Sequence, residues 1–247
     1  MKADPFVQLR LLELQALDSA LDRLAHRRRT LPELAEIDRL EKAVDALRDD
    51  TVRAQTEVSD LARESKKFED EIDQVRTRRS RDEERLASGA ITVAKQLEEL
   101  QHEVATLTRR QSDLEDQELE VMERAETAQA TLDALTGQAD ELLASRDAAA
   151  VARDKAFEEI DAEIARTTGE RAEMAGTFPE DLLKLYERLR ADHGGVGAGA
   201  IERGRCGGCH MDLMNNEKSD VKAAPVDEVL RHEECGRIMV RTAESAL

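Results

Sequence analysis

The chain has 247 residues, a formal net charge of -18, 37% charged side chains, 2% aromatic ones and no tryptophan. So little bulky apolar material excludes a wide globular core, while a hydrophobic content of 40% exceeds what a disordered polyelectrolyte carries. The acidic balance excludes a broad electrostatic grip on nucleic acid or on an anionic membrane surface, because binding polyanions draws on Lys and Arg to neutralise phosphates.

Met1 to Phe6 lacks the apolar core of a signal peptide, and no run of about twenty apolar residues exists anywhere. The sequence therefore predicts a cytoplasmic protein without membrane insertion. Asp4 and Pro5 supply a capping residue and a proline at the first helical position. Val7, Leu11, Leu14, Leu17, Leu21 and Leu24 then mark one face of a helix. Thr30-Leu-Pro-Glu33 interrupts it: Thr30 can cap a new helix, Glu33 sits at the capping-box position, and Pro32 removes a backbone donor. The expectation is a break near 30–32 that lets the first segment pack on a returning arm.

From Leu40 to Val75, apolar residues recur at alternating steps of four and three, the spacing of a helix with one narrow seam for a partner helix. The spacing restarts at Leu97, Leu100, Val104 and Leu107. Between the runs, Leu86 to Val93 holds Gly89 and three β-branched residues, where helix propensity falls and a reversal is cheap. Two long antiparallel helices joined at a tip near 86–93 follow. On the return arm Gln111 and Glu118 occupy seam positions, and alanines at 125, 128 and 139 allow close approach with less apolar burial than leucine. Phe157, Ile160 and Ile164 shift phase, which predicts that near residue 150 the arm begins to face the segment before Thr30.

Glycines and Phe178-Pro179 end that arm, and Glu180 to Ala191 reads as a short helix. His193-Gly-Gly-Val-Gly-Ala-Gly-Ala200 has the look of a phosphate loop but lacks its Lys-Ser/Thr ending and a preceding strand, so a turn and tight strand is the better reading. Cys206-Gly-Gly-Cys209 and His232-Glu-Glu-Cys235 carry the chemistry. Two residues between each pair let two side chains converge on one ion from a tight turn. Two such pairs supply four soft or borderline donors, which suit Zn2+ best and ferrous iron less well. Four protein ligands close the coordination sphere, so the expected role is structural. Three cysteines cannot pair completely as disulfides, which also favours metal ligation in a reducing compartment. His232 competes with His210 for the fourth place, the remaining alternative being three cysteines completed by another group. Met211 to Leu213 and Arg237 to Arg241 are expected to pair as antiparallel strands across the metal, in a module too small to fold without it.

Tyr186-Glu-x-Leu-Arg, His193-Gly-Gly-Val-Gly, Arg205-Cys-Gly-Gly-Cys and His232-Glu-Glu-Cys-Gly-Arg-Ile, with Leu-Pro-Glu at the break, the Ser-Gly tip and Lys95-x-Leu-x-x-Leu, resemble bacterial proteins with a long coiled-coil hairpin and a C-terminal C4-type zinc ribbon. The resemblance implies a mainly α fold, with a helical hairpin over 1–191 and a small β-rich zinc ribbon over 192–247. It places the ligands at Cys206, Cys209, His232 and Cys235, with His232 standing where the family usually has cysteine. Some relatives are linked to flagellar regulation, an alternative sigma factor, secretion components or messenger RNA, which implies an adaptor rather than a catalyst. The expected function is a non-enzymatic adaptor or scaffold for an unidentified protein partner, as monomer or homodimer. The alternative is weak, local nucleic-acid binding through ribbon cations such as Arg203, Arg205, Arg231, Arg237 and Arg241, which neighbouring carboxylates nearly cancel. Nothing in the sequence places a catalytic carboxylate pair in a pocket.

Overall fold

A computed structural model describes residues 1–245. The elements in order are α1 (Pro5–Arg29), α2 (Pro32–Ala87), α3 (Ala94–Ala175), α4 (Glu180–Asp192), β1 (Ala198–Glu202), β2 (Arg205–Cys206), α5 (Asn215–Ala223), β3 (Leu230–Arg231) and β4 (Ile238–Val240). The chain divides into two compact units, one of Ala35–Ala150 and one that joins Met1–Leu34 to Val151–Leu247.

In the Ala35–Ala150 unit, the seam read from the spacing is the seam that is buried. Leu40, Ala54, Leu61 and Ile72 of α2 are shielded, as are Leu100, Leu114, Val121, Ala128 and Leu132 of α3. Leu61, Val121 and Ala128 form a cluster with Val58, Phe68 and Ala125 around it, so the two arms close on each other within one chain. The polar interruptions sit half-buried. Thr51 turns its hydroxyl back to the Leu47 carbonyl at 2.9 Å, and Gln111 donates to Glu115 at 2.6 Å. Gly89 takes φ +65° at the tip, a left-handed turn that reverses the chain without a Cβ clash.

The other unit has three sources of order. Asp4 caps α1 by accepting from the Phe6 amide at 2.8 Å, with Pro5 at the first helical position, as expected. Thr30 behaves otherwise than expected: its hydroxyl and amide both donate to the His26 carbonyl, so it closes α1 and leaves Leu31, followed by Pro32, to start α2. The physical reason is local. Pro32 has no N–H to continue the ladder, so the nearest free carbonyls are those behind Thr30. Leu24 and Leu31 pack with Ile160, Phe157 and Ile164, the contact that the phase shift predicts. Arg28 reinforces it, lying 4.3 Å from the Phe157 ring centroid and 2.8 Å from Asp161.

A mixed four-stranded sheet in the order β2-β1-β4-β3 forms the second part. Here the expected antiparallel pairing of Met211–Leu213 with Arg237–Arg241 is replaced. β4 runs parallel to β1, with Ala198 beside Ile238 and Ala200 beside Val240, and antiparallel to β3. Met211–Leu213 contributes an isolated bridge, Asp212 to Arg205. Ile238, Met239 and Val240 are all buried, because β4 is covered on one face by helices and on the other by the cysteine turns. The glycine-rich segment makes this close stacking feasible. A Cβ on Gly199 would meet the Gly208 amide nitrogen at 2.3 Å, so only glycine lets β1 lie against the first cysteine turn. The turn-and-strand reading of that segment holds, with β1 beginning at Ala198.

The third part is a buried polar network. Asp18 is 1% exposed; it accepts from the Tyr186 hydroxyl at 2.6 Å and pairs with Arg171 at 3.1 Å. Gln15, one turn earlier on α1, accepts from the Gly197 amide at 2.7 Å and donates to the Gly195 carbonyl at 2.8 Å. α1 therefore fixes the entry of β1, and β1 carries the first cysteine turn. The first residues also join the sheet region: Ala3 donates to the Asp227 carbonyl and Val229 to the Met1 carbonyl. No helix among the described residues is long and apolar enough to cross a membrane.

Candidate metal centre

Cys206 ends β2, and its carbonyl accepts from the His210 amide at 2.7 Å, closing the turn that swings Cys209 back toward Cys206. On the other side the His232 carbonyl accepts from the Gly236 amide at 2.7 Å, and the His232 amide donates to the Arg237 carbonyl at 3.0 Å. The two turns are repeats of one device, a short strand and a loop whose carbonyl and amide groups satisfy each other. β1 and β4 hold them together through their parallel pairing.

The result is a convergence of four donors. One ligand atom from each of Cys206, Cys209, His232 and Cys235 lies within 4.8 Å of every other. Bonds of about 2.3 Å to sulfur and 2.0 Å to nitrogen around a tetrahedral ion separate donors by roughly 3.5–3.8 Å, so small side-chain adjustments suffice. His232 turns Nδ1 to the group, 3.1 Å from the Cys235 sulfur and 3.4 Å from that of Cys209. Cys206 and His232 are buried, Cys209 and Cys235 half-buried, and Ile201, Leu213, Val221 and Met239 form the apolar wall.

Burial pushes the Cys206 thiol up, and the neighbouring Cys235 adds to the rise against the Cys209 and Gly208 amides that oppose it. For Cys235, burial also works upward, but hydrogen bonds from the Arg237 backbone and from His232 outweigh it and bring the thiol below its ordinary range. A donor set of three sulfurs and one imidazole is a structural zinc set, and it fits these residues. His210 is exposed with φ +63° and lies outside the convergent group. His193 serves as the C-cap of α4.

One participant escaped the sequence reading. α5 brings Glu217, 4% exposed, to the back of the His232 ring. The Leu213, Glu217, Val221 spacing of four is the signal that could have revealed it, but a carboxylate in the middle hides an apolar stripe.

Several cations proposed for nucleic acid are engaged inside the module. Arg241 donates to the Ala224 carbonyl at 2.9 Å, Arg237 to the Val196 carbonyl at 2.9 Å, Arg231 to the Gly236 carbonyl at 2.8 Å, and Arg205 pairs with Asp212 at 3.0 Å.

Comparison with known proteins agrees with this division of labour. Residues 14–194 match the CT398-like coiled coil hairpin domain, and residues 205–239 match the C4-type zinc ribbon domain. A protein of Mycobacterium tuberculosis is 42% identical over 241 residues, covering 98% of both chains. A solved structure from Mycobacterium smegmatis superposes with a TM-score of 0.85 at 38% identity, covering 98% of this chain and 100% of that one. CT398 from Chlamydia trachomatis has the same fold, with a TM-score of 0.64 at 20% identity over 96% of this chain and 98% of its own.

Proposed function

This chain belongs to the family that couples a CT398-like coiled coil hairpin to a C4-type zinc ribbon, and from that premise we propose a cytoplasmic adaptor in which Cys206, Cys209, His232 and Cys235 hold a structural Zn2+. The two domains are scaffold families, and the protein is a non-enzymatic one. The hairpin, taken as residues 1–191, spaces or presents surfaces; the ribbon, taken as 192–247, is the docking head for a protein partner.

The observation that carries the reading is the convergence of four donors in a largely closed, apolar-walled site. Bound there, zinc would supply cross-linking of the two turns and no open coordination position. With the ribbon cations bonded to their own backbone, a protein-facing surface is favoured over a nucleic-acid one, and a single chain suffices to close the hairpin.

Elemental analysis of the purified protein should give one zinc per chain, lost in Cys206→Ser/Cys209→Ser. Chelation should abolish the order of β1 to β4, since metal binding in such modules contributes about 10 kcal/mol or more of folding free energy. Helical circular dichroism from 35–150 should persist. Crosslinking from native cells with both forms then locates docking. Partners lost only from the zinc-free form support the ribbon as docking head, whereas partners retained without zinc move recognition to the hairpin. A wild-type chain that binds no zinc overturns the metal reading.

A further inference from the structure

We propose that Glu217 is the positioning carboxylate of the metal centre, holding the His232 ring so that Nδ1 is presented to the ion. The proposal rests on the zinc reading above and adds a residue outside the four donors.

The geometry is that of a relay from carboxylate to imidazole to metal. His232 faces the three sulfurs with Nδ1. When Nδ1 binds a cation, the single ring proton of a neutral imidazole sits on Nε2. Nε2 is buried and makes no hydrogen bond among the described residues. The polar group it faces is Glu217 Oε2, at 3.7 Å. A movement of about 0.7 Å brings that pair to an ordinary N–H···O distance of about 3.0 Å.

The other carboxylate oxygen is already committed. Glu217 Oε1 accepts from the Glu233 amide at 3.0 Å, so the same side chain grips the loop between His232 and Cys235. Burying a carboxylate at an apolar helix position is costly unless both oxygens find donors. One donor is present in the backbone, and the second is the ring N–H that a metal-bound His232 would offer. A cysteine at position 232 has no such outward donor, so the role of Oε2, unlike that of Oε1, is tied to the histidine.

The test is a zinc affinity measurement on the full chain by competition with a chromophoric chelator, in wild type, E217Q, H232C and the H232C/E217Q double variant. The amide of E217Q can keep the Glu233 hydrogen bond through its oxygen, but then turns its NH2 group to the ring N–H. E217Q should weaken zinc binding about 10- to 100-fold, as loss of such an outer carboxylate does elsewhere. In the H232C background it should leave the Kd unchanged. Nitrogen NMR of labelled histidine in the zinc form should show His232 protonated on Nε2, with a slowly exchanging ring proton in wild type that exchanges quickly in E217Q. An unchanged Kd in E217Q overturns the proposal, as does an equal loss in the H232C background, which would mark Glu217 as a packing residue. If wild type binds one zinc but H232A binds it equally well, the ligand assignment itself fails, and with it the proposal.

Discussion

The unit of residues 35–150 and the unit that joins 1–34 to 151–245 are held together by different physics. In the first, order comes from repetition: a stripe of apolar side chains is shielded, and charge stays at the surface. Its interarm ion pairs, such as Arg110 with Glu71 at 3.4 Å and Arg124 with Glu64 at 3.7 Å, are solvated and worth about 0–1 kcal/mol each. In the second, polar groups go inside. Of the polar and charged side chains buried among the described residues, Asp82 alone lies in 35–150; Gln8, Gln15, Asp18, Thr167, Glu217, His232 and Ser245 lie in the other unit. Repetition gives a surface that tolerates change at most positions. Buried polar contacts specify one arrangement and fail when a partner is removed.

Asp18→Ala probes that contrast with the largest expected effect, on the unit that joins 1–34 to 151–245. It strips an acceptor from Tyr186 and Arg171 and removes the charge 3.5 Å from Arg190 Nε, and should cost about 3 kcal/mol, the lower end for breaking a buried pair. The lower end applies because Arg171 keeps Glu187 and Arg190 keeps Asp22. Hydrogen exchange should rise in α1, α4 and the sheet while residues 58–128 stay protected; a uniform rise would mean the two units do not respond separately.

Leu61→Ala reverses the experiment. It opens the cluster with Val121 and Ala128 and should cost about 2 kcal/mol, since a narrow two-helix seam collapses more readily than a deep core. Exchange should quicken around 58–68 and 121–128, with the zinc content unaltered. Loss of metal on this change would break the comparison.

Alkali gives the smallest and most gradual effect. Tyr186 is the one tyrosine of the chain, and tryptophan is absent, so tyrosinate absorbance reports a single group. Burial, and after it the Asp18 carboxylate, push its phenol well above the ordinary range. The neutral phenol is the form the fold retains, so its stabilising contribution is complete below the unfolded value of about 10 and declines as pH rises beyond it, by about 1.4 kcal/mol per pH unit. Tyrosinate should therefore appear together with loss of the sheet, in one cooperative step. A smooth titration near 10 in a folded protein would contradict the enclosed hydrogen bond to Asp18.

The same contrast explains what could be read from the amino-acid order. The hairpin was legible because a seam is a local period: Leu40 to Val75 announces its partner face before the partner is known. The pairs of two-residue spacing announced the four side chains that converge in the candidate metal centre for a similar reason. The Asp18 to Tyr186 bond spans 168 positions, and nothing near either residue signals the other. Parallel pairing of β1 with β4 was hidden because both strands are short and β1 opens on Ala-Gly-Ala, leaving no alternation to set a register. Thr30 had two helices to serve, and pattern alone could not weigh a missing proline N–H against a capping box. Glu217 was missed because burial of a carboxylate makes sense only beside His232.

The main-chain bonds from Met1 and Ala3 to residues 227–229 bear on how the protein is made. On the ribosome, α1 emerges long before α4, the sheet or the cysteine turns exist, whereas the two arms of 35–150 find each other from adjacent sequence. The hairpin can fold during synthesis, but α1 must wait with its leucines uncovered until residues near 240 have cleared the exit. α1 thus acquires its native neighbours only after α4, the sheet and the cysteine turns have formed around it.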